Sequence, residues 1–492
     1  MSVDHQHPQY VDTLAIWQLV RDADKGATAV KKRAKGSSEN TMLGLAGTAY
    51  LPPPNPTDAS AENRLRYQAY VDRATYVNFT AQTKEGMLGL VFRKKVEIEV
   101  DPVIEYKIKN INGGGLTSDQ MIKDVTAEVL CLGRHGLLED YPQANEGMTE
   151  AQVKQLNLQS NTISYEAESI INWQTTTMGG VQKLSLVVLK EPYPCASDDG
   201  FSIEFKDYHR VLMLRDGVYI QQLYDENGQL TTWATGTLNE NGEDLYTADI
   251  IPRKSDGTTW DEIPFIFVGS VNNDPSVDKA PLYDIAELNI AHYRNSADFE
   301  ESSFMVGQPT PVLTGLTQSW VDSNYEDGIH IGSRAAILLP EGGSGSLLQA
   351  AGNSMPEQGM KNKEEQMIKL GARLIQDQGG VETAEAAKIR FAGQNSKIAS
   401  ILINVEAAFE QCAEWAKMFM GGTAETEIEI NKELYEKTID PQMLIAQMQL
   451  MDRGVIAKKD LRTNMRKGNL IDSDRTDEDI EAETETGDIF AL

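Results

Sequence analysis

With 492 residues, 40% of them apolar, the chain is too long for one ordinary core and rich enough to fill two to four. Its 74 acidic against 45 basic residues, a formal net charge of -29, exclude a simple electrostatic nucleic-acid binder, whose affinity comes from Lys and Arg releasing counterions. No run of about 18 apolar residues reads as a membrane span, and the polar start MSVDHQHPQYVD is not a secretory leader, so a soluble chain made in a cytoplasm, with no membrane, is expected.

Residues 1–60 read as a flexible arm. VDTLAIWQLVRDADKGATAVKKRAKG starts as an amphipathic helix through Leu14, Trp17 and Val20, turns basic at Lys31, Lys32 and Arg33, and gives way to the Pro-rich LPPPNPTDAS. From Ala61, helical spacing through Leu65, Ala69, Tyr76 and Phe79 leads to alternation at Val96, Ile98 and Val100. TSDQMIKDVTAEVLCLGRHGLLEDYP then predicts a helix running into Gly133 and a strand that ends at Pro142. His135, in GRHG, reads as a turn histidine, because no Ser, Cys or Asp nearby completes a catalytic arrangement.

Ser164–Trp173, VQKLSLVVLKEP, HRVLMLRDGVYIQQLYDENGQLTTWATG and IPFIFVGS predict successive strands of a mainly antiparallel, meander-like sheet, with turns at Gly179-Gly180, Asp216-Gly217 and Glu226-Asn227-Gly228. Trp173, Tyr219 and Tyr224 fit a core or cross-strand role, since no basic residues interleave with them as a base-stacking surface would need. The three cysteines, Cys131, Cys195 and Cys412, are dispersed and odd in number, which suits free thiols rather than a disulfide framework or a zinc knuckle.

The middle of the chain predicts a helix, an excursion and a returning helix. Pro281 opens PLYDIAELNIAHYRNSADFEESSF, in which Leu282, Ile285, Leu288 and Ala291 recur at helical spacing. The Gly-, Pro- and Ser-rich excursion Met305–Met355 carries β-like runs at Pro311–Leu313 and Ala335–Leu339. PEQGMKNKEEQMIKLGARLIQ returns from Pro356 to Gln376, with Met360, Met367, Leu370 and Leu374 as its stripe. After Asp377-Gln378-Gly379-Gly380 a long helix is predicted from Thr383, bent at Gly393 and ended by Gly421-Gly422, with Ile398, Leu402, Val405, Phe409, Cys412, Ala416 and Phe419 on one face. Two short helices follow, one from Pro441 to Gly454 and one closed by Gly468, and then a mobile acidic tail from Asp472.

In this order of elements, and in the wording of IPFIFVGS (Ile263–Ser270), APLYDIAELNIAHYRNSADFEESSF (Ala280–Phe304), MIKLGARLIQ (Met367–Gln376) and TAEAAKIRF (Thr383–Phe391), the chain resembles the portal proteins of tailed bacteriophages from about Ala61 to Asn469. The resemblance implies an α+β fold of family type, with an α/β wing, a two-helix stem, a small β-containing clip, a long wing helix and a helical crown. The implied divisions are a flexible arm (1–60), wing (61–277), first stem helix (278–304), clip (305–355), second stem helix (356–376), tunnel loop (377–382), long wing helix (383–421), crown (422–471) and acidic mobile tail (472–492).

It implies a homo-oligomeric ring, of twelve subunits in the family, at one capsid vertex of the virion. Double-stranded DNA would pass through it in packaging and ejection, and its partners would be the major capsid protein, the large terminase and then a head–tail adaptor or neck protein. Gln376, Asp377, Gln378, Gly379, Gly380, Val381 and Glu382 lie where portals carry the loop that narrows the channel, and Trp320 and Tyr325 are candidate docking anchors of the clip, with packing inside that subdomain the equal alternative. A closed ring with an acidic bore would repel phosphates and let DNA slide.

No P-loop pattern occurs, nor HExxH, CxxC or GxSxG, and the six histidines are not clustered, so no catalytic residues, cofactor or metal are expected. The first central helix is biased acidic, with Asp284, Glu287, Asp298, Glu300 and Glu301 against Arg294, and the returning helix is basic, with Lys361, Lys363, Lys369 and Arg373. Such helices suit either a ring interface between neighbouring subunits or a hairpin within one chain with solvated charges. Two further functions stay open: another ring-forming neck or adaptor component of a virion, and a cytoplasmic metal-dependent hydrolase using scattered carboxylates.

Overall fold

Eighteen residues at the start of the chain show how this sequence folds. Pro8 occupies the first turn of α1 (Pro8–Lys25), where no amide hydrogen is needed, and the His7 ring accepts from the Gln9 amide at 3.2 Å. Tyr10, Trp17, Val20 and Ala23 fall on one buried face, and the Trp17 indole donates to the Leu132 carbonyl at 3.1 Å. Arg21 forks to Glu128 and Glu168, each at 2.8 Å. Burial alone would depress this guanidinium, but the hydrogen bonds to Glu168 and Glu128 outweigh it and raise its pKa. The expected flexible arm is therefore corrected over α1 and the short α2 (Ala27–Lys32): the amphipathic stripe has a core to enter.

The computed structural model describes residues 2–32, 50–141, 158–196, 201–238, 244–308, 310–325, 337–349, 354–375, 397–432, 441–467, 470–471 and 475–487. The architecture is mixed α+β, in two compact units, Met1–Gly89 with Lys95–Ile430, and Leu90–Lys94 with Asn431–Leu492.

α3 (Ala61–Arg73), α4 (Phe79–Val91, in the larger unit as far as Gly89) and α5 (Ser118–Leu132) precede the three- and four-stranded sheets. α5 is opened by a capping box between Thr117 and Gln120 and closed by Gly133 in the left-handed region, φ 74°. A Cβ at Gly133 would lie 2.7 Å from the Lys279 carbonyl oxygen, so the helix-to-strand corner admits little else. β2 (Arg134–Asp140) follows, buried from Arg134 to Glu139. It is the middle strand between β3 (Asn161–Glu166) and β10 (Phe265–Gly269), both antiparallel to it.

Two sequence expectations change here. IPFIFVGS does form a strand, but it pairs with β2 and not with the meander. Ser164–Trp173 is split by a single 3-10 turn at Ala167–Ser169, so β3 and β4 (Ile170–Met178) belong to different sheets. The expected meander is β4, β5 (Val181–Ala196), β6 (Ile203–Arg215) and β7 (Val218–Tyr224), all antiparallel in chain order. Asp216 and Gly217, both at positive φ (55° and 80°), make the tight β6–β7 turn. His135 lies within β2 and not in a turn: the Gly on either side marks the end of α5 and a close approach to Phe265.

The rest of the larger unit comprises the two-stranded pairs β8 (Trp233–Leu238) with β9 (Asp244–Thr247), and β1 (Glu97–Glu99) with β13 (Glu427–Glu429). α6 (Tyr283–Gly307), β11 (Thr310–Thr314), α7 (Gln318–Asn324), β12 (Ser344–Leu348), α8 (Met355–Ile375) and α9 (Lys397–Met420) complete it. α9 packs on α5, β2 and β10 through Leu402, Val405, Phe409, Cys412, Ala416 and Phe419, the face its spacing predicts. Beside Cys412, Lys107 and Glu139 form a buried ion pair at 2.8 Å, to which Thr162 adds a 2.7 Å hydrogen bond onto the carboxylate. Cys131 and Cys412 are buried free thiols.

The smaller unit holds α10 (Pro441–Asp452), α11 (Lys458–Lys467) and α12 (Asp477–Gly487). Gly454, at φ 69°, turns the chain between α10 and α11. The acidic tail, expected to be mobile from Asp472, is helical over α12, because its carboxylates meet arginines of α11.

Candidate functional site

The central helices are built around α6, whose 25 residues span about 37 Å. Ile285, Ala286, Asn289, Ile290, His292, Tyr293, Ser296 and Ala297 form its buried face, against α1, α3 and α8. Asn289 is fully buried and fully used. Its oxygen accepts from the Tyr76 hydroxyl at 3.0 Å and from the Thr80 amide and hydroxyl at 3.1 Å, and its NH2 donates to the Val77 carbonyl at 2.8 Å. The Ser296 hydroxyl accepts from the Thr75 amide at 2.8 Å, so α6 and the 75–80 segment are held in one register.

α8 runs back along α6. The buried His292 ring meets Glu364 at 3.0 Å, Met367 is buried, and a Cβ at Gly359 would lie 2.4 Å from the Asn295 side-chain amide. Met360 and Leu370, expected on the apolar stripe, are half-buried, while Met355 and Ile368 are 73% and 65% exposed. One side of α8 is covered by its own chain and the other is open.

Within one chain α6 and α8 form a hairpin. Four charges of α6 have partners within that chain. Asp284 pairs with Lys279 at 2.9 Å and Arg294 donates to the Tyr50 carbonyl at 2.7 Å. Asp298 accepts from the Tyr70 hydroxyl at 2.6 Å, and Glu301 pairs with Arg73 and, at 3.7 Å, with Arg66. Burial first, then the Asp298 bond, pushes the Tyr70 hydroxyl pKa up. Glu287 is exposed. On α8, Lys361 pairs with Glu357 at 2.7 Å, and Lys363 and Lys369 have no ion pair among the described residues. The Arg373 side chain, and the expected tunnel loop Gln376–Glu382, lie outside the described residues.

The excursion between the helices is a small subdomain. β11 and β12 pair antiparallel from Thr310 opposite Leu348 to Thr314 opposite Ser344. The run Pro311–Leu313 is in β11 as expected; of the expected run Ala335–Leu339, residues 337–339 are not in a strand and 335–336 lie outside the described residues, and the partner strand is Ser344–Leu348. A turn at Pro340–Gly343 places it there, and the Gly-Ser-Gly wording hides it from β-propensity. Trp320 and Tyr325 sit 5.6 Å apart, and the Tyr325 hydroxyl donates to the Leu338 carbonyl at 2.7 Å while accepting its amide at 2.8 Å. Tyr325 thus works inside the subdomain. The subdomain also displays Met305, Leu338, Leu347 and Leu348, each at least 54% exposed.

Sequence reasoning missed the groups that lock this frame. Arg134 is 1% exposed, lies 4.2 Å from the Trp173 ring and 3.9 Å from that of Phe267, and donates to the Pro275 and Ser276 carbonyls. Burial pulls its pKa down to about 9. The signal was two polar residues, Arg134 and His135, opening the strand that runs through Leu137 and Leu138. Burial, then the charge of Arg21, lowers His135 to about 3, and neither ring nitrogen has a hydrogen-bond partner among the described residues. Among the described residues no three His, Cys, Asp or Glu side chains converge to hold a metal, and no helix is long and apolar enough to cross a membrane.

A family model described as a domain of unknown function (DUF4055) matches residues 281–420, from the start of α6 to the end of α9. No curated protein matches the chain. Solved structures that it resembles include a chain of the virion of a native gene transfer agent particle, at 12% identity and a TM-score of 0.39, covering 81% of this chain and 92% of that one. Others are chains from the neck of the empty particle computed with C6 symmetry (11%, TM-score 0.37, 79% and 90% covered) and from the neck of the native particle computed with C12 symmetry (12%, 0.37, 79% and 89%).

Proposed function

We propose that the chain is the portal subunit of a tailed-phage-like particle. Identical copies, twelve in the family its sequence resembles, form a ring at one capsid vertex, and double-stranded DNA passes through that ring without any bond being made or broken. The observation that carries this reading is the α6–α8 hairpin, with one side of α8 bare and the β11–β12 excursion displaying apolar side chains at its end. A lone subunit leaves that surface in water, and a ring of copies covers it with a neighbour's surface, each contact being heterologous and the rotation closing.

The roles expected of single residues shift accordingly. Asp284, Arg294, Asp298 and Glu301 hold α6 in its own chain, and the charges left for a neighbour are Glu287 and the α8 lysines Lys363 and Lys369. The excursion is the docking surface for the large terminase and then the neck protein, with the major capsid protein around the ring. The acidity of the chain, -29 per copy, keeps DNA from adhering in the channel.

Sizing of the purified chain by mass photometry and negative-stain microscopy tests the reading. A holed ring near twelve times 54.4 kDa, about 650 kDa, is expected, if necessary after addition of capsid or scaffold protein. A compact dimer that loses an activity in chelator overturns the reading in favour of a hydrolase.

A further inference from the structure

α11, KKDLRTNMRK, carries five basic residues and one acid in a chain that is otherwise strongly acidic. Lys458, Arg462 and Arg466 recur every four residues and Lys459 flanks them, so four cations share one stripe about 12 Å long. α12, DEDIEAETETG, carries six acids and no base. It lies against that stripe in the opposite direction: Arg462 pairs with Glu481 at 2.8 Å, Arg466 pairs with Asp477, and the Arg466 Nε donates to the Arg475 carbonyl at 3.0 Å. Lys458 and Lys459 stay exposed, while the side chains of Arg462 and Arg466 keep 14% and 20% of their surface.

We propose that the α11 stripe binds the phosphate backbone of duplex DNA and that α12 covers it as an intramolecular stand-in for that polyanion. Like charges four residues apart, Asp477 with Glu481 and Glu481 with Glu485, oppose an isolated α12, and the arginines it covers offset that repulsion beside its own Thr476–Asp479 cap. Exposed ion pairs are individually weak. Six carboxylates along about 16 Å of helix are also a sparser line of charge than a duplex, which carries one phosphate per about 1.7 Å of axis. DNA at high local concentration therefore displaces α12, and guanidinium groups about 6 Å apart reach neighbouring phosphates. Without DNA, the tail keeps an acidic chain from exposing its cationic stripe to wrong partners.

The choice of duplex DNA as the polyanion rests on the proposed function; the pairing of the two helices does not. The test measures binding of a fluorescein-labelled duplex of about 30 base pairs by anisotropy across a salt series, using the full chain, the double variant Asp477→Asn/Glu481→Gln, and a chain ending at Ile471. Both altered chains are expected to bind at least tenfold tighter at low salt. Their log–log salt slope should be steeper by about 2, for the two freed arginines.

Adding Arg462→Gln/Arg466→Gln to either background is expected to return affinity and slope to those of the parent. The proposal is overturned if neither altered chain gains affinity, if the gain survives loss of both arginines, or if poly-glutamate competes as well as the duplex. Sizing of the same samples keeps the two readings apart: rings without the gain sink only the tail proposal, and the gain without rings sinks only the portal reading.

Discussion

The imidazole of His292 on α6, 3% exposed, lies 3.0 Å from the carboxylate of Glu364 on α8, and its other ring nitrogen has no hydrogen-bond partner among the described residues. This contact bridges the two central helices, and it is polar at a place where the rest of the α6 face is largely apolar. Glu364→Ala strands a buried imidazole and is expected to cost about 1–3 kcal/mol in urea unfolding, while Glu364→Gln, which keeps a partner, costs under about 1. Equal losses for the two would show that the contact is incidental.

His135 makes stability depend on pH. Its ring is buried in β2 and its pKa falls from 6.5 to about 3, so between those values the unfolded chain binds a proton that the folded chain refuses. Its contribution is complete above about pH 6.5 and is lost as pH falls toward 3, at up to about 1.4 kcal/mol per pH unit. His135→Leu is expected to flatten the unfolding free energy between pH 4 and 6 relative to the parent. Parallel pH profiles would rule the account out.

If α8 faces a neighbouring subunit, Lys363→Glu/Lys369→Glu should reduce the ring fraction in mass photometry at least tenfold. Neither lysine has an ion pair among the described residues, so the thermal unfolding of the monomer should move by no more than about 0.5 kcal/mol. A destabilised monomer would mean instead that these lysines serve their own chain.

How much of this was readable beforehand differs by level. The stripe of Trp17 and Val20, the meander β4–β7, and the α6–excursion–α8 order all follow from periodicity, which depends on neighbours in sequence. Periodicity names a strand without naming its partner, so the run Ile263–Ser270 was legible as β10 while its place beside β2 was not. The same limit governed the charges. Asp284 through Glu301 were visible as an acidic bias, but Asp298 is answered by Tyr70 and Glu301 by Arg73, each 228 residues away. The Asn289 clamp gave no sign at all, because a lone Asn on a helix reads as a solvated residue until the 75–80 segment is laid against it.

β1 and β13 set acids directly opposite each other, Glu97 facing Glu429 and Glu99 facing Glu427, all four exposed. Like charges at such positions repel, so Glu97→Lys is expected to stabilise the chain by about 0.2–1 kcal/mol at low ionic strength, with the gain shrinking as salt screens it. A gain that persists in 1 M salt would point to packing rather than charge.

The place of α1 also sets a timetable. α1 is made well before α6, which begins at Tyr283, yet the two helices pack together. At about 5–20 residues per second, α1 waits on the order of 15–55 s before the α6 part of its seat exists. Until α6 emerges, the part of α1 that faces it has no apolar partner there to cover it.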